Sequence, residues 1–200
     1  MDYFLDRQAD IKITEKGALP HWHQNGKIQY VTFRLADSLP QSVIEHTVAL
    51  IASFKEQNPE PWSAETMLRF RNLVGGKKEQ LLDNGYGSCI LACKDIRAIV
   101  SSAIHYFDGV RYNLIAYVIM PNHIHMLFCP LEGFETSKIL QALKSYTAHR
   151  IKAVREIKGP VWMRENYDRI VRSEDELKHH LAYIKSNPRH LTSDLFDLYI

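Results

Sequence analysis

Excess charge is the first thing this chain lacks. Its 25 Lys and Arg nearly balance 23 Asp and Glu, for a net charge of +2, so nucleic-acid binding has to come from a local patch. Cysteine is scarce and odd in number: Cys89, Cys93 and Cys129. Cys89 and Cys93 lie four apart with no second pair, which excludes zinc-ribbon spacing. Free thiols in a reducing cytosol are the simplest reading. No apolar run reaches transmembrane length, and Met1-Asp2-Tyr3 opens no signal peptide, so a soluble cytoplasmic protein is expected. Internal repeats and low-complexity tracts are absent too. What is present is an ordinary globular composition, 46% hydrophobic and 24% charged over 200 residues, with a mean hydropathy of -0.26. That excludes disordered and collagen-like classes and leaves room for a substantial core in one domain.

Residues 1–26 are polar and turn-rich and read as a loose N-terminal arm with a packed Trp22; His21 and His23 leave a second metal site open there. Residues 27–35 (KIQYVTFRL) predict the first strand. Asp37 or Ser38 is placed to cap a helix opening near Pro40 and running to Lys55. Ser63 then caps a second stretch, 64–83, which Gly75-Gly76 should kink. Residues 59–109 read as a helical insertion in the first crossover. From Asp95, an apolar stripe of Ile96, Ile99, Val100, Ala103 and Phe107 predicts a further helix ending at Gly109. Strands at 112–120 and 123–130, joined at Pro121-Asn122, predict an antiparallel hairpin. A basic helix follows Thr136 or Ser137, and residues 161–171 supply another strand. Ser173 with Glu176 forms a capping box for a last helix that stops near Asn187, before Pro188. This order fits an α+β, ferredoxin-like plait: a central antiparallel sheet with helices on one face, an enlarged first crossover and a C-terminal helix.

Two patterns carry chemistry. In Pro121-Asn122-His123-Ile124-His125, strand alternation sends His123, His125 and Leu127 to one face and Ile124, Met126 and Phe128 to the other. Two imidazoles on one rigid face suit a shared metal ion, although taken alone such a pair is more often a pair of bystanders at the wet edge of a half-buried strand. On the last helix, His179, Tyr183 and Asn187 recur four apart on one face, with Leu177, His180, Leu181 and Ile184 toward the other. Tyr146, in Lys144-Ser145-Tyr146-Thr147, competes as the reactive tyrosine. Its alignment with Ile139 and Leu143 favours packing, and it lacks an amide four residues on.

The ordered set Pro121-Asn122-His123-Ile124-His125 and Tyr183-Ile184-Lys185-Ser186-Asn187-Pro188 resembles the single-tyrosine HUH transposases, most of all the REP-associated tyrosine transposases. Residues 30–40, Leu82-Asp83-Asn84-Gly85 with Gly87, the 114–128 hairpin and residues 162–172 are similar to family segments as well. The likeness runs from His21 to Pro188. It implies His123 and His125 as ligands of a divalent cation, Mg²⁺ or Mn²⁺, with Asn187 as a third polar ligand. Tyr183 becomes the nucleophile that forms a 5′-phosphotyrosine link on single-stranded hairpin or palindromic DNA, leaving a free 3′-OH. Open, mixed nitrogen and oxygen coordination suits a catalytic ion better than a closed structural zinc.

For DNA contacts, Lys144, Arg150, Lys152 and Arg155 of the basic helix are the candidates for phosphates, and Trp22, Trp162 or Tyr167 for stacking on bases. A solvated helix face and a core role for Trp162 are the bland alternatives. Glu165 and Asp168 fit a metal site or solvent-facing strand positions, and Cys129 fits packing. Two other functions compete: a non-cleaving binder of palindromic DNA, and a metal hydrolase using water. The lack of a long exposed apolar stripe favours a monomer over a homodimer.

Overall fold

The computed structural model describes residues 3–14, 21–63, 65–66, 69–70, 73, 82 and 84–200. Strands β1 (Lys12–Thr14) and β2 (His21–His23) form a small antiparallel ribbon. Next come β3 (Gln29–Arg34), α1 (Gln41–Gln57), α2 (Lys94–Phe107), β4 (Tyr112–Ile119), β5 (His123–Pro130) and α3 (Thr136–Val154). The chain closes with β6 (Tyr167–Ile170), α4 (Glu174–Ser186) and β7 (Asp197–Tyr199). Most of the helix expected at 64–83, including its Gly75-Gly76 kink, lies outside the described residues.

The main sheet has the order β6-β3-β5-β4-β7, and every neighbouring pair is antiparallel. Without β7 this is the strand order of the expected βαββαβ plait, with α2 and α3 as its two crossover helices. The expected 112–120 and 123–130 hairpin forms, closed by the Met120 N–H on His123 O at 2.9 Å. The strand expected at 161–171 is broken in two. Trp162 makes an isolated bridge to Leu35, and regular pairing resumes only at Tyr167.

Each face of the sheet has its own core. On one side Val31, Phe33, Ile124, Met126 and Phe128 pack against Ile96, Val100 and Ile104 of α2 and Ile139, Leu143 and Ile151 of α3. On the other side Tyr30, Ala116, Val118, Leu127 and Cys129 pack against Leu177, Leu181, Tyr183 and Ile184 of α4. The expectation of helices on one face is therefore corrected: α4 crosses to the second face. Helix α4 connects β6 to β7, the two edge strands of the sheet, and on its way it covers the face that α2 and α3 leave open. Helix α1 belongs to neither core, packing Ile51 and Phe54 with Phe70 in a satellite cluster. Helix α2, inside the span expected as an insertion, packs directly on the sheet.

Several local expectations also change. Neither Asp37 nor Ser38 caps α1, which begins after Pro40 with no side-chain cap. The Ser38 hydroxyl instead donates to Leu35 O, and Asp37 accepts from the Ser88 N–H. The described N-terminal residues are tied down at several points: the Leu5 N–H bonds Val171 O, the Ile28 N–H bonds Tyr3 O, and His21 is joined to Asp168 on β6. The cap on α4 forms as expected, with Ser173 Oγ accepting from the Glu176 N–H. The Glu176 carboxylate reaches one residue further back than a capping box does and accepts from the Arg172 N–H at 2.7 Å.

Candidate metal and tyrosine site

Strand β5 is the central strand of the sheet, so its histidines cannot lie at a wet edge. His123 and His125 are 1% and 0% exposed. Burying two imidazoles demands partners for their ring nitrogens, and the surroundings supply them. Asn122 Nδ2 donates to Leu82 O at 3.2 Å and Tyr86 O at 3.0 Å. That fixes the amide orientation and leaves Oδ1 as acceptor for His123 Nδ1, 2.7 Å away. His123 therefore carries its proton on Nδ1 and turns the Nε2 lone pair inward. His125 Nδ1 lies 2.8 Å from both the Tyr30 hydroxyl and Thr32 Oγ1 on the adjacent strand. The two Nε2 atoms meet 3.1 Å apart.

The 84–88 loop, whose Tyr86 O accepts from Asn122, depends on one close approach. Gly87 has φ +90, and a Cβ there would come 2.4 Å from Asp37 O. Only glycine allows the loop to sit so near the end of β3.

Burial pushes His123 down to about 3. Burial, followed by the neighbouring His123 and His180, holds His125 well below the usual histidine range. Both rings are thus neutral at physiological pH, the form that binds metal. Two nitrogens 3.1 Å apart can share one ion at ordinary metal–nitrogen distances of about 2.1 Å. The pair fits a metal. Among the described residues, no group of three or more His, Cys, Asp or Glu could hold an ion, so a third side-chain ligand would have to be an amide or hydroxyl.

Helix α4 brings Tyr183 to this pair. Its ring meets His125 edge to face, with centroids 5.1 Å apart at 81°. Asn187 follows the helix end and donates its N–H to Tyr183 O. The Tyr183 hydroxyl and Asn187 Oδ1 are both shielded from solvent. Three of the residues singled out by sequence, His123, His125 and Tyr183, are therefore in one place.

His180, not the exposed His179, lies in the same layer. Its ring stacks on Tyr30 at 4.0 Å and 12°, and Nε2 is 3.8 Å from the Glu176 carboxylate. Glu176 is in turn paired with Arg169 of β6. The sequence held the signal: His180 precedes Tyr183 by three and Asn187 by seven, so all three share a helical face. Tyr30 and Thr32 carried only the strand alternation, and nothing local tied them to His125.

The expected DNA contacts separate. Arg150 and Lys152 are exposed on α3. Arg155 is exposed too and donates to Cys93 Sγ at 3.3 Å. Lys144 is half-buried, its Nζ on Arg164 O at 2.9 Å, and burial lowers it to about 8. Trp162 is a core anchor, donating to Thr147 Oγ1 at 2.9 Å and meeting Phe33 edge to face. Asp168 is engaged with His21 and Asn166. Cys129 is buried and contacts Gly26 O. Tyr146 is 51% exposed, a correction to its expected packing. The buried stripe of α3 centres on Leu140, Leu143 and Thr147, which leaves Tyr146 at its margin.

Residues 93–187 match the model of the IS200-like transposase family. That segment runs from the residue before α2 to Asn187 and contains the histidine strand and the tyrosine helix. Over that segment the chain is similar to the IS200-like transposase class, in agreement with the resemblance its motifs carry to REP-associated tyrosine transposases. A solved structure of a REP-associated tyrosine transposase bound to a REP hairpin is similar at 14% identity and a TM-score of 0.42, covering 85% of this chain and 71% of that one. No curated protein matches the chain.

Proposed function

We propose that the chain is a metal-dependent single-stranded DNA endonuclease and strand transferase acting on hairpin DNA from palindromic sequences. The match of residues 93–187 to the IS200-like transposase family supports action on DNA. The observation that carries the finer reading is the contact between the buried His123–His125 pair and the Tyr183 ring.

His123 and His125 would hold a divalent ion, Mg²⁺ or Mn²⁺, with Asn187 from the end of α4. When bound, such an ion supplies positive charge at a phosphate oxygen and favours the phenolate of a nearby tyrosine. That help is needed because a free phenol titrates at about 10 and is a poor nucleophile at neutral pH. Asn122, Tyr30 and Thr32 keep the two rings turned inward through their Nδ1 atoms. His180, stacked on Tyr30, fixes the roll of α4 and so aims Tyr183. The Tyr183 oxygen loses its proton and bonds to the scissile phosphorus. The bond from phosphorus to the 3′ oxygen breaks, and that oxygen takes up a proton as the free 3′-OH. Attack by another 3′-OH on the phosphotyrosine reverses the step and rejoins the strand. Arg150, Lys152 and Arg155 along α3 extend the track for the DNA backbone.

The test is to incubate the protein with single-stranded hairpin oligonucleotides and Mg²⁺ or Mn²⁺ and look for a protein–DNA band that survives denaturation. Cleavage without such a band overturns the tyrosine mechanism in favour of hydrolysis by water. Binding without cleavage favours a non-cleaving binder. Cleavage by His123→Ala at the wild-type rate overturns the metal assignment.

A further inference from the structure

The histidine end of the sheet carries a second polar cluster. Arg34, the last residue of β3, pairs directly with His123 in the antiparallel register, so the two side chains rise from the same face. Its Nη1 donates to Ser38 Oγ at 2.9 Å and toward Leu35 O at 3.4 Å. Those bonds hold the guanidinium plane in place. The opposite edge, Nε and Nη2, is the one that matches two phosphate oxygens. Residues 163–165 connect Arg34 to α3: the Met163 N–H bonds Arg34 O at 2.9 Å, and Lys144 Nζ bonds Arg164 O at 2.9 Å. Glu165, next in sequence, acts electrostatically on Arg34, Lys144 and His21 together. His21 has its own carboxylate, Asp168.

We propose that Arg34 and Lys144 form a subsite for one backbone phosphate of a single DNA strand, beside the histidine pair. Both half-buried cations feel the Glu165 carboxylate, and the register of Arg34 sets this charge next to His123. Burial disfavours charge on both Arg34 and Lys144, and Glu165 only partly offsets it. A docked phosphate adds countercharge. Neither cation needs to reorder, since each is already anchored to backbone or hydroxyl oxygen, so little side-chain entropy is lost on binding.

This subsite rests on the proposed action on single-stranded DNA, and the experiment separates the two. Binding of a dye-labelled single-stranded oligonucleotide is followed by fluorescence anisotropy between about 50 and 200 mM salt. The Arg34→Gln/Lys144→Gln double variant should lower the slope of log affinity against log salt by about 0.7 or more, the value of at least one lost phosphate. The charge-preserving variants Arg34→Lys and Lys144→Arg should keep the wild-type slope. Lys178→Gln, an exposed change on α4 paired with Glu174, should keep it as well. A double variant with the wild-type slope overturns the subsite and leaves the proposed function standing. Loss of slope in folded Arg34→Lys and Lys144→Arg also overturns it, because charge is then not the cause. Failure of the wild type to bind any single strand defeats both.

Discussion

The two faces of the sheet use the same strands for opposite ends. Toward α2 and α3, β3 and β5 present Val31, Phe33, Ile124, Met126 and Phe128, all apolar and nearly water-free. Toward α4 they present Tyr30, Thr32, His123, His125 and Leu127, a mixed set whose polar atoms are hydrogen-bonded. The first face gains stability from dense packing, which tolerates no vacancy. The second accepts two buried imidazoles, which cost desolvation, and needs a network to satisfy them. Placing the site on the back of a well-packed layer gives its histidines a rigid platform. Precision at the site is thus set partly by residues that never touch it.

The sharpest way to break the comparison is Tyr183→Phe. It should abolish the denaturation-resistant DNA adduct outright while changing stability by no more than about 1 kcal/mol, the net worth of one hydroxyl contact. A thermal melt beside the adduct assay checks both halves. Phe128→Ala tests the other face. Removing a fully buried ring should cost about 3–5 kcal/mol in urea unfolding, with whatever protein stays folded still forming adduct. If Phe128→Ala removes the adduct from protein that melts like wild type, the division of labour between the faces is wrong.

Acid should distinguish the faces next. His123 sits near 3 in the folded protein against an ordinary 6.5, and His125 is lowered too. With folded values depressed, their contribution to metal-free stability is fully present above 6.5. It is lost as pH falls from there toward the folded value, because the unfolded chain takes up protons that the folded one refuses. Urea midpoints measured from about pH 7 down to about pH 4 should therefore fall further for wild type than for His123→Phe/His125→Phe. Equal acid sensitivity would mean that the rings are not neutral in the fold.

A smaller effect is expected at His180. His180→Ala should slow adduct formation about tenfold, equivalent to about 1.4 kcal/mol, by loosening the roll of α4 against Tyr30. His180→Phe should recover most of the rate, since it restores stacking. No recovery would assign His180 a proton or ligand role instead of a positioning one. Smallest of all, Ser173→Ala should cost about 1 kcal/mol of stability through the lost cap and leave the pH profile of cleavage unchanged.

The hairpin and the common face of His123 and His125 were legible because strand alternation is a local rule with a period of two. The capped helix carrying Tyr183 was legible from Ser173, Glu176 and Pro188 for the same reason. The exposed Tyr146 shows where such rules stop: a helical period names a face but not the stripe that a neighbour will cover. His180 shows the same limit, since choosing it over His179 required knowing which side of α4 meets Tyr30. Lys144 looked like its exposed neighbours on the basic helix until residues 163–165 folded over it.

Sequence alone determined the alternation that sets two histidines against an apolar reverse face, the helix that bears Tyr183, and the strand and helix order of the plait. Those follow from backbone periodicities and end signals within a few residues. Tertiary structure alone decided that β5 lies at the centre of the sheet, that α4 packs on the face opposite α2 and α3, and that Asn122, Tyr30 and Thr32 orient the rings. It also set Arg34 beside His123. Each of these joins residues far apart in the chain, and such pairings are settled by competition for burial and hydrogen-bond partners across the whole fold, which no local pattern encodes.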